Sequence, residues 1–138
     1  MSIVTNFPLS EKSLEEFVRI MLPEKVGKDI KGKVSYKQNK IVVEVEMDGK
    51  KAIMEEENLE HIIEDQNLIM LKGGLLKAFN KSYSWGSLIG VRPTKMTRRL
   101  IQMGFSKERV KRLLNNMYLA NFDKIDLLMR VIETEERL

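Results

Sequence analysis

From Lys31 to Met54 apolar side chains recur at every second position: Val34 and Tyr36, then Ile41, Val43, Val45 and Met47, with Glu44 and Glu46 between them. A period of two is strand geometry and does not sit on a helix, whose faces repeat every 3.6 residues. Asp48-Gly49 interrupts the run with the dipeptide that a type I′ turn favours, and Gln38-Asn39 marks a weaker turn. The pattern therefore predicts three strands in an antiparallel meander. Val43, Val45 and Met47 should face the helices. Val42 breaks the strict alternation, which predicts a bulge or a strand covered on both faces.

On either side of this run the period is helical. Ile3 to Asn6 starts a short strand, and Leu14, Phe17, Val18 and Met21 follow at i, i+3, i+4, i+7. Ser13 with Glu16 is a capping-box candidate, Ser10 competes for the N-cap, and Pro23 stops the helix. After Glu55 the helical period returns, with Leu59, Ile62, Ile63 and Gln66 in one register and Leu68, Leu71, Leu75 and Phe79 in the next. Glu55-Glu56-Glu57 reads as a solvated helix start. The segment is one long helix or two joined near Gly73-Gly74, since each glycine inside a helix costs about 1 kcal/mol relative to alanine. Residues 82–91 lack periodicity and read as a loop carrying Trp85. Pro93 opens a helix lined by Met96, Leu100 and Met103, and Gly104 ends it. Ser106 caps the next, with Val110, Leu113, Leu114 and Met117 as its seam; Asn121 caps the last, with Ile125, Leu128, Met129 and Ile132.

The fold class that follows is α+β: a small antiparallel meander sheet with helices on one face, followed by a C-terminal group of three short helices. Residues 1–80 form the α/β unit and 81–138 the loop and three-helix segment. The last helix runs into Glu133-Thr134-Glu135-Glu136-Arg137-Leu138 without a stop signal, so the chain reads as a piece of a longer protein. With 138 residues and 43% hydrophobic content it holds a real core. Neither a signal peptide nor an apolar run of about 18 residues is present. The chain reads as a cytoplasmic protein with no membrane partner.

The chain has no cysteine and one histidine, His61. Disulfides, thiol nucleophiles, thiolate zinc sites and a self-contained iron–sulfur cluster are thereby excluded. His61 could share a helix face with Glu57 and Glu64, but it reads as a surface histidine among helical carboxylates. No nucleophile, base and orienting acid can be assembled. Catalytic and metal-ligating residues are therefore expected to be absent from this chain.

Charge is concentrated in one place. Residues 1–71 carry −4, while 72–112 hold Lys72, Lys77, Lys81, Arg92, Lys95, Arg98, Arg99, Lys107, Arg109, Lys111 and Arg112 against Glu108 alone, giving +10. Within that stretch Trp85 is the one tryptophan of the chain, Gly86 and Gly90 permit close backbone approach, and Pro93 holds Arg92 extended ahead of a helix N-terminus. Trp85, Arg92, Thr94, Lys95, Arg98 and Arg99 are thus candidates for an anion site or a domain-docking surface. At least one of Arg98 and Arg99 must point away from the apolar face. In the competing reading Trp85 pins the loop to the core and Arg92 pairs with an acid of the α/β unit. A basic stretch with an aromatic also fits an RNA-binding or protein-interaction module, although Tyr36, Tyr83 and Trp85 make a poor stacking platform.

The run Trp85-Gly86-Ser87-Leu88-Ile89-Gly90-Val91-Arg92-Pro93-Thr94-Lys95, with the basic helix, Gly104, a second helix and Tyr118-Leu119 before a third, resembles the N-terminal region of coproporphyrinogen dehydrogenase-like radical SAM proteins, the oxygen-independent coproporphyrinogen III oxidases. The resemblance is specific over about residues 84–132. It implies heme biosynthesis, with two propionates of coproporphyrinogen III decarboxylated to vinyls by an oxidoreductase using S-adenosylmethionine and a [4Fe-4S] cluster. The family's three-cysteine motif has no counterpart here. The resemblance therefore implies a noncatalytic N-terminal accessory domain that holds no cofactor itself and whose partners are the radical SAM barrel of the same polypeptide and the porphyrinogen substrate.

Overall fold

A computed structural model describes residues 1–88 and 93–137. It shows an α+β protein built on a four-stranded sheet of order β1-β2-β3-β4, with β1 at Ile3–Thr5, β2 at Ile30–Lys37, β3 at Lys40–Met47 and β4 at Lys50–Glu57. The meander pairs as the alternation requires, Val34 opposite Val43 and Val45 opposite Ala52. Met47 and Lys50 close a two-residue loop at Asp48-Gly49, where both residues have positive φ, 49° and 77°. Lys25 Nζ donates to Asp48 Oδ2 at 2.9 Å and fixes that turn. The sheet is mixed rather than purely antiparallel, because β1 adds to β2 in parallel after a crossover through α1 (Glu11–Met21). Val42 causes no bulge: the register runs unbroken through it, and it lies half-buried on the uncovered face.

One face of the sheet meets α2 (Gln66–Ala78), and Ile30, Val34, Ile41, Val43, Val45, Met47 and Met54 are buried beneath it and its neighbours. Tyr36, at the end of β2, is half exposed, and its hydroxyl donates to Glu60 Oε1. Ser10 takes the N-cap of α1, accepting from the Ser13 amide. Ser13 instead accepts from Lys72 Nζ at 2.9 Å, tying α1 to α2. Burial holds the Lys72 ammonium below the usual lysine range.

The segment after Glu55 departs from its helical period. Glu55, Glu56 and Glu57 end β4 instead of starting a helix, and residues 58–65 form turns. Leu59, Ile62 and Ile63 are buried nonetheless, so the apolar spacing reports burial of a compact turn. Gln66 explains the arrangement: its buried amide donates to Glu57 O and accepts from Leu59 N, both at 2.8 Å. A helix through 59–66 would give up these bonds. His61 consequently lies in an exposed turn and shares no helix face with Glu57 and Glu64.

From Gln66 the helix continues through Gly73-Gly74 without a break. A Cβ on Gly73 would strike the Met117 carbonyl, and one on Gly74 would come within 3.0 Å of Val45. The glycines thus let α2 approach both the sheet and α4. Three short helices follow, α3 (Pro93–Gln102), α4 (Lys107–Tyr118) and α5 (Phe122–Arg137), with Ser106 capping α4 as expected. Val110, Leu113, Leu114, Met117, Ile125, Leu128, Met129 and Ile132 are all buried. Met103 is not: α3 ends at Gln102, so Met103 leaves the Met96-Leu100 face and is exposed, while Thr97 is buried on that side. Three carbonyls of β4 receive side-chain donors from the helical layer, Lys77 Nζ on Ile53, Asn116 Nδ2 on Glu55 and Gln66 Nε2 on Glu57.

Two substitutions test this packing. Gly73→Ala should destabilise by about 1–2 kcal/mol in urea titration, since overpacking at 1–3 kcal/mol outweighs the ~1 kcal/mol gain in helix propensity. A stabilised variant would show that α2 does not make this close approach. In Asp48→Asn the side chain still tolerates positive φ but loses its charge. Lys25 holds the Asp48 carboxyl below its usual 3.8, so its contribution is present above that pH and lost as pH falls. Thermal melts should therefore show wild type ahead of the variant at pH 7 and the gap closing below about pH 4.

Candidate functional site

The loop carrying Trp85 is built into the protein at three points. Tyr83 Oη donates to the Met21 carbonyl at the end of α1, at 2.8 Å. The Asn121 amide donates to Ser84 O at 2.9 Å. Ser87 Oγ donates to Tyr118 O at 3.3 Å. Between these anchors Gly86 takes a left-handed backbone, φ 56°, and lies against the turn at Tyr118-Leu119-Ala120. Any Cβ at Gly86 would collide with the Tyr118 carbonyl. A 3-10 turn at Gly86–Leu88 follows, and all three of its residues are buried.

The turn that receives the loop is equally constrained. Leu119 ends α4 in the left-handed region at φ 57°, and Asn115 Nδ2 donates to Ala120 O at 2.9 Å. Tyr118 is buried, and its hydroxyl lies 3.6 Å from Met96 Sδ of α3. Burial pushes the Tyr118 phenol well above the usual tyrosine range. The Trp85-Gly86-Ser87 and Tyr118-Leu119 pieces of the resemblance, about thirty residues apart in sequence, thus meet in one joint. Local spacing carries no signal for this contact, nor for the roles of Ser87, Asn115, Ala120 and Asn121 in it.

The candidate residues separate in space. Trp85 packs partly buried against the core, with Lys124 Nζ 5.8 Å from its ring centroid, as the pinning alternative expected for that residue. Arg92 lies outside the described residues, together with residues 89–91. Thr94 is half-buried in the first turn of α3, and Lys95 is exposed one residue on. Arg98 pairs with Glu135 of α5, while Arg99 projects into solvent. The described residues therefore form no closed anion clamp. They leave an exposed cationic edge of Lys95 and Arg99 on α3, the helix whose Met96 meets the Tyr118 hydroxyl.

Part of the basic stretch is neutralised within the chain. Lys81 pairs with Glu24, Lys107 with Glu133 and Lys111 with Asp126. Arg109 grips both carboxylate oxygens of Glu57 at 2.5 and 2.6 Å and stacks 4.2 Å from the Phe105 ring. Beside it Asn116 Nδ2 also donates to Glu56 Oε1. These contacts dock α4 on the end of β4, a role that a helix start at Glu55–Glu57 does not predict. Among the described residues no group of three or more His, Asp or Glu side chains is placed to hold a metal ion, and no helix is long and apolar enough to cross a membrane. With no cysteine in the sequence, the donor set does not fit an iron–sulfur cluster with thiolate ligands.

Comparison with known proteins gives a partial likeness. Over 51 residues the chain is 37% identical to the oxygen-independent coproporphyrinogen-III oxidase-like protein HemZ of Bacillus subtilis (strain 168). That stretch resembles HemZ. It is 37% of this chain and 10% of HemZ, so the match spans about a tenth of that protein's length. No family model matches the chain, and no solved structure does.

The joint makes a sharp stability forecast. Gly86→Ala should cost about 2–4 kcal/mol, combining left-handed strain with overpacking against a main-chain carbonyl. Lys95→Ala and Arg99→Ala, on the exposed edge, should stay within about 0.5 kcal/mol of wild type. Equal losses in urea titrations of all three variants would show that the cationic edge is structural.

Proposed function

We propose that this chain is the noncatalytic N-terminal accessory part of an oxygen-independent coproporphyrinogen III oxidase-like radical SAM protein acting in porphyrin biosynthesis. The observation that carries the reading is the likeness to HemZ over 51 residues. The joint between the Trp85 loop and the Tyr118 turn supports it, because it gives a physical reason for those two pieces of sequence to occur together: against that turn only a glycine fits at position 86. The [4Fe-4S] cluster and S-adenosylmethionine belong, in this reading, to polypeptide outside these residues. The chain's own contribution is a rigid platform whose exposed Lys95 and Arg99, with Thr94 and Arg92, meet the barrel or the carboxylates of the substrate. Exposed charges of this kind contribute only about 0.2–1 kcal/mol each.

An RNA-binding role is less well supported. Five of the eleven basic residues between 72 and 112 pair with carboxylates inside the chain, which leaves about half of the +10 for phosphates.

The coding frame beyond Leu138 tests the proposal first. It should continue into a three-cysteine cluster motif; a stop codon immediately after Leu138 would overturn the accessory-domain reading. In the continuous protein, Arg92→Ala or the pair Lys95→Glu and Arg99→Glu should leave cluster content unchanged and raise the KM for coproporphyrinogen III or weaken binding of the separated domain. Unchanged values for every variant would remove these residues from the function.

A further inference from the structure

The helices cover one face of the sheet, and among the described residues the other face is bare. Along it run Lys31, Lys33, Ser35 and Lys37 of β2, Lys40, Val42, Glu44 and Glu46 of β3, and Lys51, Ile53 and Glu55 of β4. Val4 and Ile53 are 59% and 54% exposed there, and a shallow trough of about 540 Å³ lies between them. Charge on this face is sorted by strand. The Lys31 and Lys33 strip of β2 lies directly beside the Glu46 and Glu44 strip of β3, residue opposite residue. Opposite charges so placed normally pair across strands. Here Lys40–Glu55, at 3.5 Å, is the ion pair of this face, and Lys31, Lys33, Glu44, Glu46 and Lys51 have no ion-pair partner among the described residues.

We infer that this face is a self-complementary surface whose partner is a second copy of the chain. Strand register alone produces this complementarity, independently of any role in porphyrin biosynthesis. A two-fold axis parallel to the strands, running between β2 and β3, lays β2 of one copy over β3 of the other. Because Lys31 is level with Glu46 and Lys33 with Glu44, that rotation puts each lysine over the glutamate it needs in the other copy. Symmetry doubles the set to four charge pairs. All lie next to the axis, where the usual angle of about 30° between packed sheets displaces residues least. Val42, Ile53 and Val4 supply apolar contact around them.

A four-stranded face of this length offers roughly 500 Å² per copy, from strand spacings of about 4.8 Å and rises of about 3.3 Å. The total of about 1,000 Å² sits at the lower limit of a specific interface, so association is weak and concentration-dependent. A nucleic acid is the poorer occupant: the Glu44 and Glu46 strip repels phosphate, and the face carries no aromatic residue for base stacking.

Sedimentation equilibrium of the 138-residue chain at low salt tests the inference. Wild type should show a monomer–dimer equilibrium that weakens as salt is raised. Lys31→Glu with Lys33→Glu, and separately Glu44→Lys with Glu46→Lys, should each weaken dimerisation at least tenfold while far-UV circular dichroism stays unchanged. Mixing the two variants should restore dimers, since the four central positions 31, 33, 44 and 46 are then all acidic in one copy and all basic in the other. The chain carrying all four reversals should dimerise with itself again. A wild type that stays monomeric up to about 1 mM overturns the inference. So does a pair of variants that fails to recover on mixing, or a wild-type monomer that binds single-stranded RNA through Lys31 and Lys33.

Discussion

Two successive positions without side chains, Gly73 and Gly74, set the distances on which the rest of the molecule depends. Gly74 brings α2 down onto Val45 of the sheet, and Gly73 brings α4 in until the Met117 carbonyl lies over the helix. That carbonyl belongs to the last turn of α4, immediately before the Tyr118-Leu119-Ala120 turn on which Gly86 seats. Two further close contacts are therefore chained to the first. A larger residue in α2 would displace α4, and the displaced turn would no longer receive the loop. Glycine here costs helix propensity and returns it as proximity, which is why the helix does not break.

Charge does a second kind of work. Ion pairs of this exposure contribute about 0.2–1 kcal/mol each, too little to drive folding. Their placement matters more than their sum. Arg109 and Asn116 fasten α4 to the acidic end of β4, and Arg98 and Lys107 link α3 and α4 to α5. The acid-rich N-terminal part and the base-rich stretch after it are thus partly complementary halves of one structure. A net local charge of +10 read along the chain overstates the field that solvent sees.

Periodicity made the meander, its Asp48-Gly49 turn and four of the helices legible from residues alone, because each has one buried face and a clear local start or stop. It failed from Glu55 to Asp65. There Leu59, Ile62 and Ile63 imitate helical spacing although they line a turn held by the buried amide of Gln66, a contact that no local pattern records. Gly73-Gly74 was ambiguous for a similar reason: the penalty of a glycine is local, and its compensation comes from Val45 and from Met117. Of the candidate site, the basic stretch and the outward turn of at least one of Arg98 and Arg99 were legible. The joint of Gly86 with Tyr118 was not, since it depends on how α4 packs.

The three side-chain donors on the β4 carbonyls carry a consequence for how the chain behaves when crowded. An outer strand of eight residues is a template on which a neighbouring chain can add its own strand, and such growth has no natural end. Lys77, Asn116 and Gln66 occupy Ile53, Glu55 and Glu57, so an incoming strand would have to displace three existing hydrogen bonds. At the opposite border β1 is only three residues long, and the Asn6 side-chain amide closes on both the N–H and the C=O of Val34 just beyond it. Both borders of the sheet resist fibrillar extension, leaving the open face as the direction in which copies of this chain can meet in a closed, finite assembly.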